Sequence, residues 1–331
     1  MHMNKYENHV DVHRRNSSSK DLNDLSDLTG ITPKNIDLKE LYKQGKNISS
    51  LLREDKRLKY NNEMIIEISY DLQAGSYIAS MEDKAMAAKK EEYVAELAKI
   101  IWSLDYPTSI LEAGVGEATT LSGVLKHVGI ADLDNYGFDL SWSRIAYARE
   151  WLKKQRISNV TLCTGSLFNI PFADNAIDIV YTSHSIESNG GNEEPILKEL
   201  YRVARRFLVL LEPGYELSNS ESRKRMELHG YCKNLKKISE GLGFKIIEHK
   251  LFPFNINPNN PTALTIVEKK RPATSNHILA CPRYKTPLEL TGEVLYSPAA
   301  LTVYPIIGGI PCLRVENGII ASRYTEIMKK N

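Results

Sequence analysis

The stretch ILEAGVGEATTL, residues 110–121, decides the fold class of this chain. An apolar strand ends at Glu112, glycines follow at Gly114 and Gly116, and a helix begins directly after them. Glycine lets the backbone of such a turn approach a ligand closely. Because ligands of open α/β sheets bind outside the carboxyl ends of the strands, the turn is a candidate binding site, with a turn that serves packing alone as the alternative.

Short apolar runs and amphipathic helices alternate on both sides of this turn. The alternation predicts an α/β fold with a parallel sheet, right-handed crossovers and helices on both faces. The predicted strands are Ser109–Ala113, Asn135–Leu140, Val160–Thr164, Ile177–Thr182, Phe207–Leu211, Phe244–Lys250 and Ala263–Glu268. The predicted helices are Ala118–His127, Trp142–Lys153, Glu194–Arg205 and Ser222–Leu242.

The 331 residues divide by composition into a sheet domain with additions at both ends. Residues 1–36 are polar and are expected to form a mobile tail. Residues 37–104 have a helical pattern and predict an N-terminal helical cap, and residues 105–270 carry the predicted sheet. The linker KKRPATSN precedes a small β-rich C-terminal domain at 277–331.

Charge and cysteine content exclude several classes of protein. The chain has 43 Lys and Arg against 41 Asp and Glu, and a net charge of +2 is too small to indicate a nucleic-acid or membrane partner. No apolar run approaches the roughly 18 residues that span a bilayer, and the N-terminus has no apolar stretch for export. With 4 widely spaced cysteines, we expect reduced thiols and a cytoplasmic protein.

Two further signals follow the glycine turn. Asp139 ends the second predicted strand, where a carboxylate can accept hydrogen bonds from both ribose hydroxyls of a nucleoside; capping of the helix that opens at Ser141 is the alternative. Ser166 and Leu167 follow the third strand. A dinucleotide-binding fingerprint needs a glycine at position 119, and this chain has Thr119 there, which disfavours NAD as a ligand. The phosphate-binding motif G-x-x-x-x-G-K is absent from the sequence, which disfavours ATP and GTP.

These motifs resemble the class I S-adenosylmethionine-dependent methyltransferases, particularly the small-molecule branch of the ubiquinone and menaquinone biosynthesis type. The resemblance covers about residues 105–250. It rests on E-x-G-x-G, Asp139, GSLFNIPF, AIDIV followed by HSIE, FLVLLEPG and GLGFKIIE. It implies a Rossmann-like, seven-stranded, mostly parallel sheet with its last strand antiparallel, and S-adenosyl-L-methionine as cofactor.

The resemblance also assigns cofactor contacts. It implies that the methionine part of the cofactor faces Glu112, Ala113 and Gly114, beside Gly116, and that Asp139 holds the ribose. The adenine would pack on Leu140, with Ser166 and Leu167 at its edge. Ser183 and His184 would line the opening through which the methyl group is transferred. Ser166 stands where the family has an aspartate, and Ala118 replaces the third motif glycine. Serine can still form one hydrogen bond with the adenine.

Acceptor-side residues are predicted with open alternatives. His184 is the candidate general base, because its ordinary pKa lies near working pH; shaping of the pocket or capping of the next helix is the alternative. Tyr70 and Tyr77 are expected to reach the cofactor from the upstream cap, and core packing is the competing explanation. His229, Tyr231 and Arg223 lie in the insert after the fifth strand, where a substrate site and a solvated basic face are both open.

The C-terminal segment resembles the small zinc-ribbon-like domain that activates certain tRNA and release-factor methyltransferases. The resemblance rests on HILACPRYKTPLEL at 277–290 and TVYPIIGGIPCL at 302–313. Only Cys281 stands at a ligand position, since the second is Tyr284 and a later one falls near Ser297. A structural zinc ion needs four ligands, so we expect the fold without its metal.

The combined prediction is a cytoplasmic methyltransferase that modifies a small metabolite in a biosynthetic pathway. The chain lacks an Asn/Asp-Pro-Pro-Tyr motif after the fourth strand, which disfavours amino-methylation of a flipped base. The alternatives are a non-catalytic cofactor-binding or regulatory subunit and an RNA methyltransferase. A homo-oligomer or a partner subunit bound through the C-terminal domain is the expected assembly.

Overall fold

The computed structural model describes residues 37–130, 132–270 and 272–328. These residues belong to two compact units, the first ending at Leu72 and the second beginning at Gln73. The boundary therefore lies inside the segment predicted as a helical cap. The predicted tail of residues 1–36 lies outside the described residues.

In the described part of the first unit, residues 37–72, there are three capped helices. They are α1 (Leu38–Lys43), α2 (Ile48–Asp55) and α3 (Glu63–Leu72). Asp37 accepts hydrogen bonds from the first amides of α1, and Asn47 accepts one from Ser50 N at 3.0 Å. Such side chains satisfy amide groups that have no partner within the helix. Leu38, Ile48, Leu52 and Ile65 form a small core among these helices.

Two helices open the second unit, α4 (Ser76–Ser80) and α5 (Lys84–Ser103). Gly75 precedes α4 in a left-handed conformation with a φ of 94°, which glycine adopts at little cost. Asp83 caps α5 by accepting hydrogen bonds from two of its first amides. The buried side chains of α5 belong to the same core as the sheet that follows.

Within the described residues, seven strands form the main sheet in the order β3-β2-β1-β4-β5-β7-β6. They are β1 (Ser109–Ala113), β2 (Asp134–Asp139), β3 (Val160–Thr164), β4 (Ile177–Ser183), β5 (Ala204–Pro213), β6 (Lys245–Leu251) and β7 (Thr262–Glu268). Strand β7 is antiparallel to β5 and β6, and the other pairs are parallel. This sheet confirms the predicted fold class. The carboxyl ends of β1 to β5 therefore meet at one edge.

Helices cover both faces of the sheet. They are α6 (Thr119–Val128), α7 (Trp142–Lys154), α8 (Glu193–Val203), α9 (Ser220–His229) and α10 (Leu235–Gly241). The single helix predicted over Ser222–Leu242 is wrong. Gly230 ends α9 with a φ of 69°, and Cys232 N then donates to Glu187 O at 2.8 Å, which holds the intervening segment near the loop after β4.

The C-terminal segment folds as a small antiparallel sheet. Its elements are β8 (Glu289–Thr291), β9 (Val294–Ser297), β10 (Thr302–Ile307), β11 (Ile310–Pro311), β12 (Ile319–Ile320) and α11 (Tyr324–Met328). Leu313 N donates to Thr164 O at 3.2 Å, so a single bridge connects the segment to the carboxyl end of the edge strand β3. Tyr304 and Leu313 belong to the same hydrophobic cluster as Phe138 and Phe172. This module is thus packed against the main sheet through a shared core.

Cys281 is surrounded by hydroxyl and amide groups. Its Sγ lies 3.7 Å from Tyr304 Oη. Burial raises the pKa of this thiol, but hydrogen bonds from Ser297, the Tyr284 backbone and Tyr304 outweigh burial and leave the pKa lowered. Among the described residues, no group of three or more His, Cys, Asp and Glu is placed to hold a metal ion. In the same part of the chain, no helix is long and apolar enough to cross a membrane.

Candidate functional site

The turn after β1 is in close contact with the end of β2 and with the loop after β4. Gly114 and Gly116 have φ values of 77° and 53°, and Ala118 is also left-handed at 57°. Gly114 N donates to Phe138 O at 2.9 Å, which ties the turn to β2. A Cβ on Gly114 would lie 2.2 Å from Ser185 Cβ in the loop after β4, so only glycine fits there.

Asp139, at the carboxyl end of β2, is bonded to this turn. Its Oδ2 accepts a hydrogen bond from Gly116 N at 2.9 Å, and its Oδ1 accepts one from Ser141 N at 2.9 Å. Burial raises the pKa of the Asp139 carboxyl, and the Arg144 guanidinium and these amides oppose the rise. A carboxylate has about four acceptor positions, so about two remain for a ligand. The helix-capping alternative and ligand binding are therefore compatible.

Tyr77 and Arg144 stand beside Gly116. The Arg144 guanidinium lies 4.5 Å from the Tyr77 ring centroid, within cation–π distance. A Cβ on Gly116 would lie 3.3 Å from Arg144 Nη1 and 4.0 Å from Tyr77 Cδ2. The structure therefore brings Tyr77 to the glycine turn, and its contact with the cofactor stays a prediction. Tyr70 lies half-buried on α3 in the first compact unit, and its role stays a prediction.

Glu112 is held inside the protein. It is 2% exposed and accepts a hydrogen bond from Tyr181 Oη at 3.0 Å. Burial raises the pKa of Glu112 and lowers that of Lys90, and the attraction between their charges opposes both shifts. Lys90 Nζ also donates to Thr120 Oγ1 at 2.6 Å. Glu112 therefore sits at the end of β1 in a polar interior network, and its predicted contact with the methionine part stays a prediction.

The loop after β3 reaches the other side of Asp139. Gly165 N donates to Asp139 O at 2.9 Å. Ser166 is 2% exposed, and its Oγ accepts from Phe168 N at 3.0 Å. Leu140 and Leu167 are half-buried and remain accessible from this edge. The residues predicted for the adenine side therefore flank the same edge of the sheet as Asp139.

At the carboxyl end of β4, Ser183 and His184 follow each other. Ser183 Oγ lies 3.0 Å from the hydroxyl of Tyr93, a buried side chain of α5. His184 has a φ of 59°, and its amide donates to Leu211 O at 2.8 Å. A non-glycine residue in this conformation is uncommon and is often found at functional sites.

Both ring nitrogens of His184 have protein partners. Nδ1 lies 2.5 Å from Glu187 Oε2, and Nε2 lies 2.8 Å from Thr262 Oγ1. Burial lowers the pKa of His184, but Glu187 outweighs burial and leaves the pKa raised. In the opposite sense, burial raises the pKa of Glu187, but His184 and Asn260 lower it below its ordinary value. The two residues therefore form a half-buried histidine–carboxylate pair.

Glu212 fixes the loop that follows His184. It is 1% exposed, and its Oε1 accepts hydrogen bonds from Ser185 N and Ile186 N, each at 3.1 Å. Burial raises its pKa to about 7, with the charge of His184 acting in the opposite direction. This carboxyl holds the loop that approaches Gly114.

The predicted substrate residues of the insert have different positions. Tyr231 reaches Glu187 through its hydroxyl, so it joins the His184 network. His229 stacks on Tyr231 with ring centroids 5.3 Å apart. Arg223 is exposed and donates hydrogen bonds to Tyr215 O at 3.0 Å and to Glu216 O at 2.9 Å. These bonds give it a structural role, since they stabilise the loop between β5 and α9.

Sequence reasoning missed several residues of this site, among them Lys90, Tyr93, Glu187, Glu212 and Thr262. Glu187 and Glu212 stand in the quoted motifs HSIE and LLEPG, and their places at strand ends were the available signal. Lys90 and Tyr93 carry no local signal, since they look like ordinary positions of an amphipathic helix.

Residues 110–206 match the model of a protein family described as "Methyltransferase domain". The match covers the glycine turn, Asp139 and the His184 loop. The chain contains a class I S-adenosylmethionine-dependent methyltransferase domain. S-adenosylmethionine is the cofactor of this family.

Curated relatives of the methyltransferase domain are distant and are matched only in part. A demethylmenaquinone methyltransferase of Geobacillus sp. is 34% identical over 70 residues, which cover 21% of this chain and 30% of the relative. That of Anoxybacillus flavithermus is 31% identical over 98 residues, which cover 30% of this chain and 40% of the relative. The chain thus spans less than half the length of these relatives. Among solved structures, a magnesium protoporphyrin IX methyltransferase from Synechocystis is 14% identical with a TM-score of 0.49, covering 63% of this chain and 100% of its own.

The residues of the methyltransferase domain fit this cofactor. The glycine turn has no side chain at Gly114 or Gly116, where backbone could approach a ligand. Asp139 keeps acceptor positions beyond the two backbone amides that it binds, which suits a ribose with two hydroxyls. Half-buried Leu140 and Leu167 offer apolar surface for a purine.

Proposed function

We propose that this protein transfers a methyl group from S-adenosylmethionine to a small-molecule acceptor with an oxygen, nitrogen or carbon nucleophile. The hydrogen bond between Gly116 N and Asp139 Oδ2 carries the proposal, because it joins the glycine turn of β1 to the acid of β2 at one edge. This combination suits a nucleoside whose ribose is gripped beside the turn.

Each side of the cofactor site has a proposed task. Asp139 accepts hydrogen bonds from the ribose hydroxyls, and Leu140, Ser166 and Leu167 surround the adenine. Glu112, Ala113, Gly114 and Gly116 line the methionine part, and Tyr77 closes the site from α4. Support for this comes from their common position at the carboxyl ends of β1, β2 and β3, where ligands of open α/β sheets bind.

The acceptor is proposed to bind next to Ser183 and His184. The cofactor supplies a methyl group on a sulfonium centre that is already a good leaving group, so positioning accounts for most of the catalysis. With Nδ1 of His184 donating to Glu187, Nε2 is the nitrogen that accepts a proton. Glu187 stabilises the resulting imidazolium, in accordance with the raised pKa of His184. In the absence of acceptor, the Thr262 hydroxyl donates to Nε2.

A small acceptor in a biosynthetic pathway is favoured over RNA. Two relatives carry the name of demethylmenaquinone methyltransferases, which act on a small molecule. A net charge of +2 provides little attraction for a phosphate backbone. We assign the C-terminal module at 277–331 a supporting role as a metal-free relative of the zinc-ribbon-like domain, and we expect the protein in the cytoplasm.

Two measurements test the proposal. Titration calorimetry with S-adenosylhomocysteine should give a dissociation constant that Asp139→Ala raises strongly. Incubation with methyl-labelled cofactor and fractionated metabolite extract should then label a small molecule. Failure to bind refutes the proposal, and binding without transfer to any fraction favours the non-catalytic regulatory subunit. Unchanged turnover in His184→Ala, with cofactor affinity intact, would remove the base role of His184.

A further inference from the structure

Glu117 is a buried carboxylate in the middle of the glycine turn that the proposed mechanism does not use. It is 1% exposed and lies between Gly116 and Ala118. Its Oε1 accepts a hydrogen bond from Gly75 N at 3.0 Å, and its Oε2 accepts one from Ile78 N at 2.8 Å. One side chain therefore connects the turn after β1 to a segment about 40 residues earlier in the chain.

The two amides belong to a segment that cannot hold itself in place. Helix α4 has 5 residues, and helices this short are unstable in water without tertiary contacts. The amides of its first turn have no carbonyl partner within the helix. A side chain at Gly75 would strain the same segment, because its φ is 94° and a Cβ would lie 3.0 Å from the Tyr147 ring. Hydrogen bonds that a backbone amide donates to a carboxylate are roughly twice as strong as those between neutral groups, so Glu117 is a main anchor of α4.

Helix α4 carries Tyr77, which stands at the proposed cofactor site. The Tyr77 ring lies beside Gly116 and Arg144. Burial raises the pKa of Asp139, and the charge of Arg144 opposes that rise. The segment that Glu117 anchors therefore supplies one wall next to the residues proposed to grip the ribose.

We infer that Glu117 is a positioning residue that anchors residues 75–80 as the wall of the cofactor site and so sets cofactor affinity. The inference rests on the proposed function, because the wall has this use only if Gly116 and Asp139 bind the cofactor. Glu117 acts through backbone amides, so glutamine cannot replace it: the amide nitrogen offers a donor where Gly75 N or Ile78 N needs an acceptor.

Hydrogen–deuterium exchange and calorimetry on the full chain test the two parts separately. Without cofactor, Glu117→Gln should exchange the amides of residues 75–80 about tenfold faster than wild type, while the core strands exchange as before. The dissociation constant for S-adenosylhomocysteine should rise about tenfold, equivalent to about 1.4 kcal/mol. The matched control is Glu82→Gln, an exposed acid just after α4, which should change neither value.

A double-mutant cycle with Tyr77→Ala separates positioning from general destabilisation. If Glu117 acts by holding Tyr77 in place, the two substitutions together should weaken binding by clearly less than the product of their separate effects. Gly75→Ala, which disturbs the same segment from its other side, should reproduce the faster exchange and the weaker binding.

Each result decides one statement. Unchanged exchange of residues 75–80 in Glu117→Gln overturns the anchoring, whether or not the wild type binds cofactor. Faster exchange with unchanged affinity, or independent effects of Glu117→Gln and Tyr77→Ala, overturns the positioning role while the proposed function stands. A wild-type protein that does not bind S-adenosylhomocysteine refutes the proposed function and the positioning role with it.

Discussion

Replacing Asp139 with alanine gives the most direct test of the cofactor site. The carboxylate binds two backbone amides, Gly116 N and Ser141 N, with one on each oxygen. About two of its four acceptor positions are left for the ribose hydroxyls. Each hydrogen bond to a charged group contributes about 1.5 to 3 kcal/mol, so the loss of two costs about 3 to 6 kcal/mol. At about 1.4 kcal/mol per factor of ten, the dissociation constant should rise about 10² to 10⁴-fold.

Isothermal titration calorimetry with S-adenosylhomocysteine measures this change, and Asp134→Ala is the matched control. Asp134 lies at the opposite end of the same strand and is exposed, so its removal should leave affinity unchanged. Asp139→Ala also leaves two amides without their acceptor, so its thermal unfolding should be recorded to show that the variant is folded. An Asp139→Ala protein that is folded and binds within about threefold of wild type would refute the assignment, since even one charged hydrogen bond contributes more than that.

Three further changes test the pairing, the helix contact and the C-terminal module. Glu187→Gln should lower the free energy of unfolding by about 1.5 to 3 kcal/mol at pH 6 and by less at pH 9. The pKa of His184 is higher in the folded protein than in the unfolded chain. The pairing of His184 with Glu187 therefore stabilises the fold at pH values below the unfolded-state pKa, and this stabilisation is lost as the pH rises through the folded-state pKa. An equal loss at both pH values in urea unfolding would contradict the ion pair. Gly123→Val should cost about 1 to 3 kcal/mol, because a Cβ there would lie 2.7 Å from Val94 Cγ2; a neutral result would show that α5 can move away from α6. Leu313→Ala should cost about 2 to 5 kcal/mol and shift one cooperative transition, whereas two separate transitions would show that the module folds independently.

The centre of the sheet could be predicted from the sequence because β1, β4, β5 and β7 are largely buried and rich in apolar residues. The bounds predicted for Ser109–Ala113 and Val160–Thr164 are those of β1 and β3. Strand β5 was predicted too short, since it begins with Ala204 and two arginines, and Arg206 is buried through hydrogen bonds to backbone carbonyls of Leu104 and Tyr106. Burial of that charge depends on distant partners, which local hydropathy does not report.

The residues of the site also fall into two groups, those that a local sequence pattern predicts and those that depend on partners distant in the chain. Gly116 and Asp139 could be predicted, because a strand-to-helix turn and a strand-end acid are local patterns. Glu117, Lys90 and Thr262 could not, since their partners come from elements far away in the chain. A buried charge in a helix or turn looks like a surface charge until the fold shows what faces it.

Strand β3 is an edge strand of the main sheet, and during synthesis of the chain it is made long before the C-terminal module that packs beside it. The carbonyl of Thr164 in this strand accepts a hydrogen bond from Leu313 N, which comes about 150 residues later, near the end of the described chain. About 150 residues separate Thr164 from Leu313, and a ribosome adds about 5 to 20 residues per second, so this end of the strand stays unpaired for about 7 to 30 seconds during synthesis. An open strand edge can pair with another chain. The growing polypeptide therefore has an unpaired strand end, with a risk of aggregation, until the C-terminal module is made, and a protein truncated before residue 302 should aggregate more readily than the full chain.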